Sequence, residues 1–120
     1  MIRRILLTLL LISPFSFADW GDVYYCQMTH FGDINMEGKQ KNYKLQKFQF
    51  KLDKEQNAMI FGKGGFFNDS STQLDWILSS MEKWRGGDEY DRATFYEGKF
   101  LYSLMTSGGI NTITANCDKF

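Results

Sequence analysis

Two cysteines, one near each end of the chain, constrain the fold more than any motif does. Cys26 and Cys117 are the only cysteines among 120 residues. In an exported protein an even cysteine count reads as disulfide bonding. A Cys26–Cys117 bond would set the opening and closing segments of the domain side by side. It would close a loop of about 91 residues, for which the chain-entropy model gives about 4–5 kcal/mol.

Export is read from the N-terminus. Arg3 and Arg4 form a positive n-region, Ile5 to Ile12 an apolar h-region, and Ser16-Phe17-Ala18 a small-x-small cleavage site. The apolar run is far shorter than the roughly 20 residues of a membrane-spanning helix. No cysteine follows it at lipid-attachment spacing. The expectation is a cleaved leader over residues 1–18 and one mature domain over 19–120, periplasmic or secreted, with no permanent membrane anchor. Removing the leader lowers Lys+Arg from 14 to 12 and leaves Asp+Glu at 14, a net charge of −2. That balance argues against nucleic acid as a partner, because such proteins are clearly basic.

The mature segment is punctuated by Gly, Asn and Asp, since the single proline, Pro14, lies in the leader. Residues 22–31 (DVYYCQMTHF) are rich in aromatic and β-branched types and predict a strand. Residues 32–42 read as a polar loop. Phe48, Phe50 and Leu52 alternate with Lys47, Gln49 and Lys51, as a half-buried strand requires. Tyr43 and Leu45 fall on the opposite parity, which a phase slip near Gln46-Lys47, such as a β-bulge, would reconcile. A turn over 53–57 and a short strand over 58–62 complete a hairpin.

Leu74, Ile77, Leu78, Met81 and Trp84 are spaced for one face of a helix. Residues 73–85 therefore read as a short helix or irregular crossover starting near Ser71, with strands over 74–79 and 82–86 as the alternative. Residues 86–92 form an acidic loop. Residues 93–106 predict a hairpin turning at Gly98, and 110–117 a final strand with Ile113, Ala115 and Cys117 on one face. Six or more antiparallel strands with adjacent first and last members predict a mainly β fold. The expected architecture is a small up-and-down β-barrel or curved half-barrel with one short helix; the alternative is a two-sheet β-sandwich. The aromatic load of 3 Trp, 6 Tyr and 11 Phe predicts a filled interior rather than a roomy one.

No catalytic constellation emerges. His30 is the sole histidine, and no serine sits in a nucleophile-elbow context, so His30 reads as a surface residue at a strand end. No zinc set can be assembled from one histidine and two bonded cysteines, and no cofactor is expected. Asp88, Glu89 and Asp91 lack an EF-hand ladder and read as a solvated turn. Gly62-Lys63-Gly64-Gly65 lacks the phosphate-loop ending and reads as a bend. The lysines from Lys39 to Lys54 read as a solvated face or a docking patch for an acidic partner. Core packing is the first expectation for Trp20, Trp76 and Trp84. Trp76, Trp84 and Arg85 are the candidate contact residues, with Trp84-Arg85-Gly86-Gly87 placed at a loop mouth.

Tyr24-Tyr25-Cys26, Phe48-x-Phe50, Trp84, Phe95, Gly98-Lys99-Phe100-Leu101-Tyr102 and Ile113 through Phe120 together resemble a group of short exported proteins of marine bacteria. The resemblance spans most of the chain. It implies export and a single domain, and no activity. Tyr25-Cys26 and the late Cys117 more faintly resemble the periplasmic inhibitors of C-type lysozyme, small disulfide-linked β-barrels. That family carries Ser-Gly-x-x-Tyr on its inhibitory loop. Here Ser107-Gly108 is followed by Gly109-Ile110-Asn111, so no residue is carried over. The leading expectation is an exported non-enzymatic binding domain for a protein or a small apolar or carbohydrate ligand. The alternatives are a small envelope hydrolase using two of Asp69, Asp75, Asp88, Glu89 and Asp91, or a lysozyme-inhibitor-like protein.

Overall fold

The computed structural model describes residues 18–78 and 83–120, with the Trp76 and Leu78 side chains outside that description. The expected leader therefore lies outside the described residues except for Ala18, which is buried in the core cluster. Nine strands and no helix occur among the described residues. They are β1 (Val23–Asn35), β2 (Gln40–Asn42), β3 (Lys47–Asp53), β4 (Ala58–Phe61), β5 (Ser71–Leu78), β6 (Lys83–Gly87), β7 (Asp91–Tyr96), β8 (Lys99–Thr106) and β9 (Gly109–Lys119).

All pairings are antiparallel, and β3 to β9 follow one another in sequence order. Closure comes from β1, which pairs β3 on one side and β9 on the other. The result is a closed eight-stranded barrel with β2 as an extra strand against the far end of β1. Neither the half-barrel nor the two-sheet sandwich is adopted. Cys26 and Cys117 are directly opposite each other and bonded, with Cα atoms 4.0 Å apart. The Phe120 amide donates to the Val23 carbonyl, and the Cys117 amide turns away to the Gly98 carbonyl. The two cysteines therefore occupy a non-hydrogen-bonded pair, the kind whose side chains lie closest together.

Alternation places Tyr24, Cys26 and Met28 inward on β1, Phe50 and Leu52 on β3, Phe100 and Tyr102 on β8, and Ile113, Ala115 and Cys117 on β9. The barrel interior is filled by rings. Phe50 lies 5.1 Å from Phe95 and 5.9 Å from Phe100, and Tyr24 packs between Phe50 and Phe95. Trp20, in the turn before β1, lies at one end of the barrel, where it meets the fully buried Trp84 edge-on at 5.0 Å. At the other end the 62–70 loop sends Phe67 inward against Phe61 at 4.3 Å, with Phe66 on Phe31 and Tyr102.

Two bulges account for the differences between periodicity and structure. On β1 the register slips between Met28 and His30, so Thr29 and His30 are both exposed and the inward parity moves to Phe31. The parity change at 43–47 is its counterpart. It is a break between β2 and β3 rather than a bulge, because Gly32↔Asn42 and Gln27↔Lys47 keep the same register along β1. On β5 the slip between Leu74 and Trp76 leaves Leu74 buried and Ile77 packed on the core. An inward spacing of three on a bulged strand imitates the i, i+3 step of a helix, which is why 73–85 reads as helical. The structure corrects that reading to β5 and β6, with 79–82 outside the described residues.

The expected loops are also shortened. β1 continues to Asn35 and β2 returns along it, and Gly86 and Gly87 belong to β6. Gly87 has φ +138°, and a Cβ there would lie 2.1 Å from the Asp91 carbonyl oxygen, so the tight β6–β7 crossing admits only glycine. The β7–β8 hairpin turns at Glu97 and Gly98, with φ 48° and 76°, the two left-handed residues of a type I′ turn.

Candidate functional site

The outer face of β9, β1 and β3 is built by the side chains that alternate with the core. Tyr25 lies between Asp118 and Gln49 in the register; one step further, Gln27 lies between Asn116 and Lys47. These two rows flank the Cys26–Cys117 pair on the outer face of the sheet. With Lys63, from the loop after β4, they line an open groove of about 750 Å³.

Several of its groups are held in place. The Tyr25 ring is 47% exposed and is braced by the C-terminal Phe120 ring at 5.3 Å. Gln27 Nε2 donates to the Met28 carbonyl at 3.2 Å and the Gln46 carbonyl at 3.4 Å. Asn116 Oδ1 accepts from Lys99 Nζ at 2.7 Å. Beyond the groove, Lys119 pairs with Asp22 at 3.0 Å, which ties the start and end of the domain together.

The candidate residues from the sequence are separated rather than gathered. Trp84 is fully buried inside the barrel on β6, not at a loop mouth, and its Nε1 has no hydrogen-bond partner among the described residues. Arg85, the next residue, is exposed on the outside. Trp76 is opposite Arg85 in the β5–β6 register. Alternation along β6 therefore puts Trp84 and Arg85 on opposite faces of the sheet, so they cannot line one surface site. That arrangement corrects the placement at a loop mouth.

Of the carboxylates proposed for hydrolysis, Asp69 and Glu89 are exposed, and Asp75, Asp88 and Asp91 are engaged in local bonds. Asp75 takes a two-pronged ion pair from Arg92, at 2.5 and 3.1 Å, and that guanidinium holds its carboxyl below the usual range. Asp88 accepts from the Tyr90 and Asp91 amides at 2.7 and 2.9 Å, and these bonds lower its pKa. Asp91 accepts the Tyr102 hydroxyl at 2.9 Å. Burial and then that bond raise the Tyr102 pKa well above the ordinary phenol value. His30 is mid-strand rather than at a strand end, because β1 runs on past it, and its Nε2 meets Thr112 Oγ1 at 2.9 Å. Among the described residues no group of three His, Cys, Asp or Glu could hold a metal ion.

An apolar row lies at the far end of the same sheet. Ile34, Ile110 and Met105 are directly opposed across β1, β9 and β8, with Met105 58% exposed. Ser107 and Gly108 form the tip of the β8–β9 hairpin next to it.

Tyr25, Gln27, Gln49, Lys63, Asn116 and Asp118 are absent from the sequence candidates. Their outward parity is legible, since Gln49 alternates with Phe48 and Phe50 and Asn116 with Ala115 and Cys117. What the sequence lacked was the knowledge that β3 and β9 flank the same strand. Among the described residues no helix is long and apolar enough to cross a membrane. Comparison with family models, with curated proteins and with solved structures finds no match for this chain.

Proposed function

We propose that this is an exported, non-enzymatic binding domain that takes its ligand on the outer face of β9, β1 and β3. The observation that carries this reading is the contrast between a barrel interior occupied by packed rings and an open groove beside the disulfide. A small apolar ligand inside the barrel would have to displace Phe50, Phe95 and Phe100, each about 1% exposed. The groove has a volume within the range of small-ligand sites, about 300–1,000 Å³. Its walls carry amides, a phenol, a carboxylate and lysines. These groups hold and orient a polar ligand without supplying an activated nucleophile.

Export is supported by the basic and apolar pattern of residues 3–12 and by the disulfide, which suits an oxidising compartment. The test is native mass spectrometry of the protein purified from its own envelope, wild type against Gln49→Arg. A bound mass present in the wild type and lost in the variant supports the outer face. A bound mass retained equally by both places the ligand elsewhere.

A further inference from the structure

We infer that the groove beside the disulfide binds an acidic oligosaccharide, a chain of sugar units carrying carboxylates; this rests on the binding-face reading above. The groove is chemically graded across the sheet, from an acidic β9 side to a basic β3 side. Register sets Tyr25 and Asp118 toward the start of β1, Gln27 and Asn116 one step on, and Lys47 beside Gln27. Lys63 joins the β3 side of the groove, because the Gly62 amide before it donates to the Gln49 carbonyl at 3.0 Å and Gln49 Cγ would lie only 2.8 Å from a Cβ at position 62.

Each part suits a different portion of such a chain. The exposed Tyr25 ring offers an electron-rich face to the polarised C–H groups of a sugar ring, and the Phe120 ring meets it edge to face. Gln49 and Asn116 carry planar amides that both donate and accept, and Gln27, whose two N–H donors are used on the Met28 and Gln46 carbonyls, offers its oxygen; together these match neighbouring hydroxyls on a sugar. The bonds that anchor Gln27 and Asn116 fix those amides before a ligand arrives. Lys47 and Lys63 supply cations for a carboxylate. Asp118, across β1 on the β9 side, accepts hydroxyls and repels carboxylates, so it orients the ligand.

An acidic peptide fits less well. Peptides that bind sheets gain much of their affinity from main-chain bonds to a free strand edge. At the groove β1 is paired on both sides, by β3 and by β9, and offers side chains only.

The test follows backbone amide shifts by NMR in the mature chain, titrated with hexagalacturonate, hexamannuronate, neutral maltohexaose and a hexaglutamate peptide. At least one of the two uronate chains is expected to shift amides at 25–27, 47–49 and 116–118 in a saturable way. Lys47→Gln/Lys63→Gln should weaken that binding roughly tenfold, as loss of a charge-assisted contact does. Tyr25→Ala should weaken uronate binding without altering the rest of the spectrum. Maltohexaose binding there as tightly as the uronates would overturn the acidic class and leave the binding face standing. Hexaglutamate binding better than both uronates would overturn the sugar class and again leave the face standing. No shift with either uronate sinks the inference, and shifts confined to another face sink the binding face as well.

Discussion

The inside and the outside of one strand differ as much as any two regions of this protein. On β3, Phe50 points into a cage of rings and is 1% exposed, while Gln49 beside it looks into an open polar groove. β1 shows the same division between Cys26 and Tyr25. The two faces share a backbone and do different work. The inner face holds the barrel closed through area burial and ring packing. The outer face adds little to stability and is free to carry recognition. In a barrel of this size filled with aromatic side chains, the proposed ligand would be met on the outside.

The sharpest way to break this contrast is at its seam. Cys26→Ala or Cys117→Ala should each lower unfolding free energy by about 4–5 kcal/mol on the loop-entropy model. The double variant should lose little more than either single one in urea titrations. Additive losses would mean that the two sulfurs do not act as one bond.

The next test compares neighbours. Phe50→Ala should cost about 3–5 kcal/mol through lost burial and the cavity it leaves. Gln49→Ala, one residue away, should change stability by no more than about 0.5 kcal/mol. Equal losses at the two positions would show that the outer row also holds the barrel together.

The smallest effect concerns pH. Folding raises the Tyr102 pKa through burial and then the bond to Asp91. Its stabilising contribution is therefore complete below the ordinary tyrosine value of 10.0 and is lost as pH rises above it. Tyr43 and Tyr96 are raised as well, by Asp33 and by Glu97, so the wild type should weaken steadily in alkali. Tyr102→Phe should flatten part of that slope in melting curves taken from pH 9 to 11. An unchanged slope would show that Tyr102 ionises freely in the folded barrel.

Much of the fold was legible because strand periodicity is local. Phe48-x-Phe50-x-Leu52, the Glu97-Gly98 turn and the alternation from Ile113 to Cys117 each follow from a few adjacent residues. Residues 73–85 misled because a bulge on β5 changes the inward spacing from two to three, and a spacing of three carries no mark of its origin. The site was legible only in fragments. Trp84 and Arg85 look like a pair in sequence and face opposite ways on a strand, whereas Gln27, Lys47 and Asn116 are far apart in sequence and adjacent in the sheet.

By itself the sequence determined a β-rich chain, its main turns and a bond between its ends, since alternation, turn chemistry and a single cysteine pair are all readable along one dimension. Tertiary structure decided that the sheet closes fully, where its bulges fall and which outward residues meet across β9, β1 and β3. The physical reason is that strand neighbours are chosen by hydrogen-bond register between distant segments, and register is a property of the closed barrel rather than of any stretch of chain.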